Sequence, residues 1–478
     1  MARTIGLGIH PNQQITKSHP MSSKSLLQII YDNRDDLYAS VLSSIKKGAD
    51  VNAVTPYAES ALKVASGNGR FDVVRLLLES GADATQLEWT PVFYAIAFDE
   101  VEDVRNAIGH QDDLEKRDSW YRTPLLLAIL TGNRAKASLL LELGANRNAV
   151  GLCGKTPFQY AVQNNDIGML GWLYQNGFDP EASDMFLTTP LIDAAKQGMT
   201  ESVSFLLSLG VNIHTCNDIP ERAIEVASNL EIVHLLLARG EDINSINEET
   251  HALLIGTRIN GQPNVQQDIY EEHKHPRFGR HNPEKCTNAF WLDMIRTGAS
   301  AWTARESYHD DSSNCPIWSY QRYGRSTNLL KNGVIIEIAG EHEDHYDPDF
   351  YIYNDVTVFH PNGDIEIYGY PENIFPGTDF HSATLIGKHI IIIGNLGYPE
   401  SRIVCETPVY ALDIESMKIK KISTSGNSPG WISQHHASFT NGILSITGGN
   451  IWTNEQGAFK LLENERSYQL CIENWTWK

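Results

Sequence analysis

At 478 residues the chain is about three times a common single-domain length, so several separately packed units are expected rather than one core. Apolar residues make up 41% and charged residues 20%, ordinary values for a folded protein that exclude a disordered chain. The formal net charge of −21, from 59 Asp+Glu against 38 Lys+Arg, repels phosphate backbones and anionic headgroups. It excludes nucleic acid and membrane surfaces as expected partners and favours a basic protein.

Residues 1–24 are read as an N-terminal extension, polar and basic, without the apolar stretch of a secretion signal. Apolar runs such as Ile390 to Ile393 fall far short of the roughly 20 residues a membrane-spanning helix needs. A cytoplasmic location is the expectation. The six cysteines, Cys153, Cys216, Cys286, Cys315, Cys405 and Cys471, form no CxxC pair, so neither a zinc ribbon nor a redox motif is predicted and the thiols are expected to be reduced.

From Ser25 to Ile255 the sequence repeats. Thr-Pro recurs at Thr90, Thr123, Thr156 and Thr189, every 33 residues. A Gly-led marker runs in phase at Gly48, Gly81, Gly144, Gly177, Gly210 and Gly240. The Thr hydroxyl suits an N-cap, and Pro suits the first helical turn, where its missing N–H costs nothing. A second apolar stretch, such as Val73 to Leu78, ends at the Gly, which takes the left-handed conformation.

This pattern resembles the ankyrin repeat, in about seven copies over 25–255. The resemblance implies an α-solenoid of helix pairs that binds proteins through its inner helices and the turn tips ahead of each Thr-Pro. The His expected after Thr-Pro-Leu is replaced (Phe93, Leu126, Gln159, Ile192), and the repeat opening at Thr90 lacks its terminal Gly. The tips carry Trp89, then Trp120, Tyr121 and Arg122, then Met185 and Phe186, residue types that anchor interfaces. As a series they are the predicted partner-binding edge.

Residues 256–322 lose the period and are read as a linker with a helix around Ala289 to Ile295. Trp291, Trp302 and Trp318 are expected to wedge between the two repeat arrays. His273, His275, His281 and Cys286 match no standard zinc spacing and are read as a solvated loop.

Residues 323–478 repeat again. Gly340, Gly394 and Gly448 lie 54 residues apart, each closing a short β-rich stretch, with His381 and His435 ahead of two of them and Thr327 ahead of the first. The middle copy reads as strands at 381–387, 389–395, 408–414 and 419–424. The pattern resembles kelch repeats, through Gly448-Gly449, the strand-leading His residues and the stretch Val409 to Asp413. The fold class predicted is therefore multidomain, α then β: an ankyrin-repeat α-solenoid followed by three kelch-like four-stranded β blades. Because closed propellers need at least four blades, the open edges must pair in a homodimer or be capped by the linker and a partner.

The loop Glu341 to Asp349 holds two His and five carboxylates in nine residues. It is read as a solvated acidic loop for partner recognition. The alternative is a metal site of His342, Asp344, His345 and Asp347. No phosphate loop, nucleophile elbow or HExxH occurs, so neither enzyme activity nor a cofactor is predicted. Protein recognition is the expected function. The ankyrin resemblance extends to bacterial toxin-immunity factors that neutralise a basic toxin; the alternatives are a scaffold or substrate adaptor, or a metal-dependent kelch-type enzyme.

Overall fold

A computed structural model describes residues 25–32, 36–311, 315–342, 349–455 and 458–478. The chain divides into two compact units, 1–212 with 216–219, and 213–215 with 220–478. Among the described residues no helix is long and apolar enough to cross a membrane.

The first unit is built from helix pairs. Thr123, Thr156 and Thr189 accept from the backbone N–H three residues on and cap the helices Pro124–Leu130, Pro157–Gln163 and Pro190–Gln197. Each has Pro in its first turn, as the sequence predicts. Gly81, Gly144, Gly177 and Gly210 all adopt positive φ, the conformation that lets the chain turn sharply out of the second helix. Thr90 departs from the pattern: its hydroxyl is buried and makes no cap. The helix it precedes, Pro91–Phe98, is followed by the repeat without the terminal Gly.

In a regular solenoid each repeat touches only its neighbours. Here the end of helix Ala61–Gly67 also meets residues two and three repeats on. Arg122 reaches Ser66 across 56 positions, and Gln163 donates to the Gly67 carbonyl across 96. Gly67 is required for this approach, since a Cβ there would fall 2.7 Å from the Trp120 ring.

The second unit begins before the boundary the sequence suggests. Helices Leu230–Ala238 and Glu248–Ile255 belong to it, because Val233 and Leu254 share one apolar core with Tyr270, Phe290, Trp291, Trp318 and Ile367. Residues 256–322 are correspondingly a packed part of this unit and not a linker. The predicted helix is present at Ala289–Thr297. Trp291 and Trp318 stack at 4.9 Å inside that core. Trp302, predicted to wedge as they do, is instead 66% exposed, because it stands on the outer face of helix Ala301–Ser307, whose Ala301 and Ala304 face inward.

Three sheets follow at the 54-residue period, antiparallel except for one short parallel edge pairing in the third. The middle one pairs Ser382–Ile386, His389–Ile393, Val409–Asp413 and Ile419–Lys421 in chain order, within three residues of the strands read from the sequence. The first pairs Ser326–Leu329, Ile335–Ile338, Val356–Phe359 and Ile365–Gly369, and Glu284–Cys286 adds to its outer edge. The third runs His436–Thr440, Ile443–Thr447, Tyr468–Cys471 and Thr476–Trp477, with Ser425–Gly426 on its edge. The middle sheet's last strand is covered by Asn282, which donates to and accepts from Ile419. The segment before the sheets thus covers one strand edge in each of the first and middle sheets.

Of the periodic glycines Gly394 packs against a strand-leading histidine, whereas Gly448 faces open space and its neighbour Gly449 makes the equivalent approach. A Cβ at Gly394 would collide with the Ile432 carbonyl and the His435 ring, and one at Gly449 with the Ser433 carbonyl and His435. His381 and His435 are buried, each with Nε2 2.8 Å from a serine hydroxyl of the preceding sheet, Ser326 and Ser382. Burial lowers both imidazoles, to about 3 for His381 and about 4 for His435. They stay neutral when folded and take up protons on unfolding below about pH 6.5. Their contribution to the stability of this unit is thus present above about pH 6.5 and is lost as pH falls toward 4. Between pH 7.5 and 5 the expected loss is about 2 kcal/mol per histidine. Urea unfolding at the two pH values, in the native chain and in His435→Gln, checks it: the variant should show the smaller loss.

Candidate functional site

The turn tips of the first unit are joined backbone to backbone. Ser119 N–H donates to Leu87 C=O, Leu152 to Trp120, Met185 to Cys153 and Asp218 to Phe186, at 2.9–3.1 Å. Donor and acceptor are 32 residues apart in every case, and the acceptors recur at 33. The next residue along, Glu88, Tyr121, Gly154 or Leu187, has positive φ, which turns each tip back into its Thr-Pro. Asp118 and Asp184 each accept two backbone N–H groups across their own tip. At the equivalent position stands Gly151, where a Cβ would overlap the Tyr160 hydroxyl.

This ladder holds a row of large apolar side chains in water: Tyr121, Leu152, Met185, Phe186, Leu187 and Ile219 are all exposed, Met185 by 65%. Exposing so many apolar groups on neighbouring rigid turns is uncommon unless they meet another surface. Arg117 lies over the Tyr121 ring at 4.3 Å and donates to the Tyr121 and Val150 carbonyls, which fixes the first tip to the second.

Behind the row, a cavity of about 500 Å³ opens between the tips and the inner helices, lined by Trp120, Cys153, Lys155, Tyr160 and Gln163 among others. Lys155 Nζ donates to Gln163 Oε1 at 2.6 Å and stands 5.0 Å from the centre of the Tyr160 ring. Burial lowers its ammonium, against the pull of Asp193. Burial likewise raises the Asp193 carboxyl and the Tyr160 phenol. The cavity thus offers an aromatic wall, a partly desolvated ammonium and the exposed Cys153 thiol.

The six residues predicted for the edge take three different positions. Tyr121, Met185 and Phe186 are on the exposed row. Trp89 and Trp120 are half-buried wedges: Trp89 packs among Phe71, Tyr94 and Phe98, and Trp120 donates to the Lys63 carbonyl at 2.8 Å. Arg122 is 0% exposed, bonded to Asp118 at 2.6 Å and to Ser66 at 2.7 and 2.8 Å, so it does not serve as a partner contact. Sequence reading passed over Leu152, Leu187 and Ile219, which 33-residue registers through Met185, Tyr121 and Phe186 respectively would have found.

Of the acidic-loop residues, Asp344, His345 and Asp347 lie outside the described residues. His342 is buried, and its imidazole is lowered to about 4 by that burial. Among the described residues no three His, Cys, Asp or Glu side chains converge as metal ligands would.

The geometry defines an ankyrin-repeat helical region followed by a strand-rich region. The family model described as ankyrin repeats (3 copies) matches residues 100–184. The chain is 29% identical over 213 residues to ankyrin repeat and KH domain-containing protein mask-1 of Caenorhabditis elegans, covering 41% of this chain and 8% of that protein. It is 30% identical over 129 residues to a putative ankyrin repeat protein of fowlpox virus, 26% and 19% of the two lengths. It is 26% identical over 255 residues to the mouse B-cell lymphoma 3 protein homolog, 48% and 57% of the two. The chain therefore spans less than two thirds of each relative. Among solved structures, the ankyrin repeat domain of Bcl-3 aligns over 45% of this chain and 98% of its own, at 24% identity and a TM-score of 0.29.

Proposed function

We propose that the chain is a protein-recognition molecule which grips its partner along the tip row of the first unit, as a scaffold or adaptor does. The observation that carries this is the hydrogen-bonded ladder holding Tyr121, Leu152, Met185, Phe186, Leu187 and Ile219 exposed in one register. Anchors held rigid before binding lose little freedom on contact, which favours affinity. The narrower reading is an immunity protein or inhibitor that masks a basic toxin or effector. The net charge of −21 supports it, since it would speed encounter with a basic partner at low salt.

For the second unit the same reading takes the three meander sheets as kelch-like blades, with the loops between strands as a second contact surface. Binding, and not catalysis, is then the activity of the whole chain. The metal-dependent alternative is tested by His342→Ala with His345→Ala and metal analysis of the purified chain.

The test of the tip row is affinity. A partner recovered by crosslinking in native cells should bind Met185→Asp/Phe186→Asp at least about tenfold more weakly than the native chain, the equivalent of about 1.4 kcal/mol. Both side chains are exposed, so the variant should keep its far-UV circular dichroism. Unchanged affinity in a folded variant would contradict the reading.

A further inference from the structure

The second unit carries a separate, more closed cavity of about 200 Å³, bordered by Phe278, Glu372, Tyr398, Glu406, Tyr410 and Trp431 among its lining residues. A drug-sized ligand needs roughly 300–1,000 Å³, so this cavity fits one long side chain and not a nucleotide or cofactor. The polar tips of two of its rings are already committed. Trp431 Nε1 donates to the Leu396 carbonyl at 3.2 Å, and the Tyr398 hydroxyl accepts from the Ile352 N–H at 3.0 Å. Both tips being held by backbone, these residues offer a guest mainly the π surface of their rings. Asn395 also bonds backbone on both its amide atoms, accepting from Asp379 and donating to Gly377.

Among the lining polar groups, Tyr410 and Glu372 are uncommitted. Tyr410 is 5% exposed and sits in strand Val409–Asp413 with its hydroxyl making no hydrogen bond among the described residues. Glu372 is exposed at the rim and has no ion pair there. Glu406 is bound to Lys421 at 2.7 Å, which leaves the lining one negative charge in excess. Aromatic walls, an unbonded phenol oxygen and an unpaired carboxylate at the mouth are complementary to a planar, donor-rich cation that stacks on rings.

We infer that this cavity receives an arginine side chain from a basic peptide segment, its guanidinium against the aromatic walls, hydrogen-bonded to Tyr410 and paired with Glu372. The charge of the whole chain acts in the same direction, drawing a basic segment toward it. The site lies in the second unit and does not depend on the tip row of the first.

The probe is the tripeptide acetyl-Gly-Arg-Gly-amide, titrated into the full chain labelled with 5-fluorotryptophan, with the Trp431 resonance assigned by its loss in Trp431→Phe. Fluorine NMR should show a saturable shift of that resonance in the millimolar range. The citrulline and lysine analogues should bind at least about fivefold more weakly. Glu372→Gln and Tyr410→Phe should each weaken the arginine peptide by about threefold or more, with the other tryptophan resonances unmoved. An equal shift with citrulline, equal binding of lysine, affinity unaffected by both substitutions, or no shift at Trp431 up to 20-fold above the millimolar range, on the order of the weakest side-chain affinities, would each overturn the assignment.

Discussion

Arg122→Met should destabilise the first unit by about 3–5 kcal/mol, the range expected when one member of a buried ion pair is removed. The guanidinium is fully buried, paired with the equally buried Asp118 and bonded to the Ser66 carbonyl and hydroxyl. Taking it away leaves a carboxylate with no counter-charge and the Ser66 oxygens without a donor. It also cuts one of the two ties between helix Ala61–Gly67 and the tip at 118–122, leaving that of Trp120 to the Lys63 carbonyl. Adding Asp118→Asn should restore part of the loss, because the uncompensated charge goes while the amide oxygen can still accept from the Trp120 and Arg122-position N–H groups. Urea unfolding followed by far-UV circular dichroism checks both. A cost below about 1 kcal/mol would mean that the pair is solvated and behaves as a surface bridge.

Glu337→Gln is the second large effect, also about 3–5 kcal/mol at pH 7. Glu337 lies within the fully buried strand Ile335–Ile338, where its carboxylate meets His251, the Tyr320 hydroxyl, the Thr327 hydroxyl at 3.0 Å and Arg325 at 3.7 Å. Burial alone would raise this carboxyl, but His251 and Arg325 overcome it and hold the group well below the usual carboxylate range. A carboxyl lowered by folding stabilises above its unfolded pKa near 4.3, and that contribution is lost as pH falls toward the folded value. The variant should therefore lose most relative to the native chain at neutral pH, and the gap should narrow below pH 4. Thr327→Val, which removes one neutral hydrogen bond, should cost only about 1 kcal/mol. A Glu337→Gln chain as stable as the native one at pH 7 would show that the network contributes no net stability.

The repeat architecture was legible because periodicity is written in backbone-determining residues. Thr-Pro sets a helix start and Gly a helix end regardless of what packs around them, so four helix starts and the middle sheet's strands fall where the spacing puts them. Arg122 was misread for the opposite reason. Its type suits an interface, and only the fold reveals that Asp118, four residues before it, turns inward with it and that Ser66 arrives from two repeats away. Residues 256–322 looked like a linker because packing without repetition leaves no period. Their edge strand Glu284–Cys286 is three residues long, too short to alternate visibly. Glu337 did carry a signal: a lone carboxylate in an otherwise apolar strand implies a buried counter-charge, and the sequence offers His251 and Arg325 without indicating that they converge.

The tip row is the centre of the functional account, and hydrogen exchange on the full chain tests it most directly. With the recovered partner bound, amide exchange measured by mass spectrometry should slow at residues 119–122, 152–154 and 185–187 together. Unchanged exchange at those tips, with protection confined to the sheets of 323–478, would contradict it.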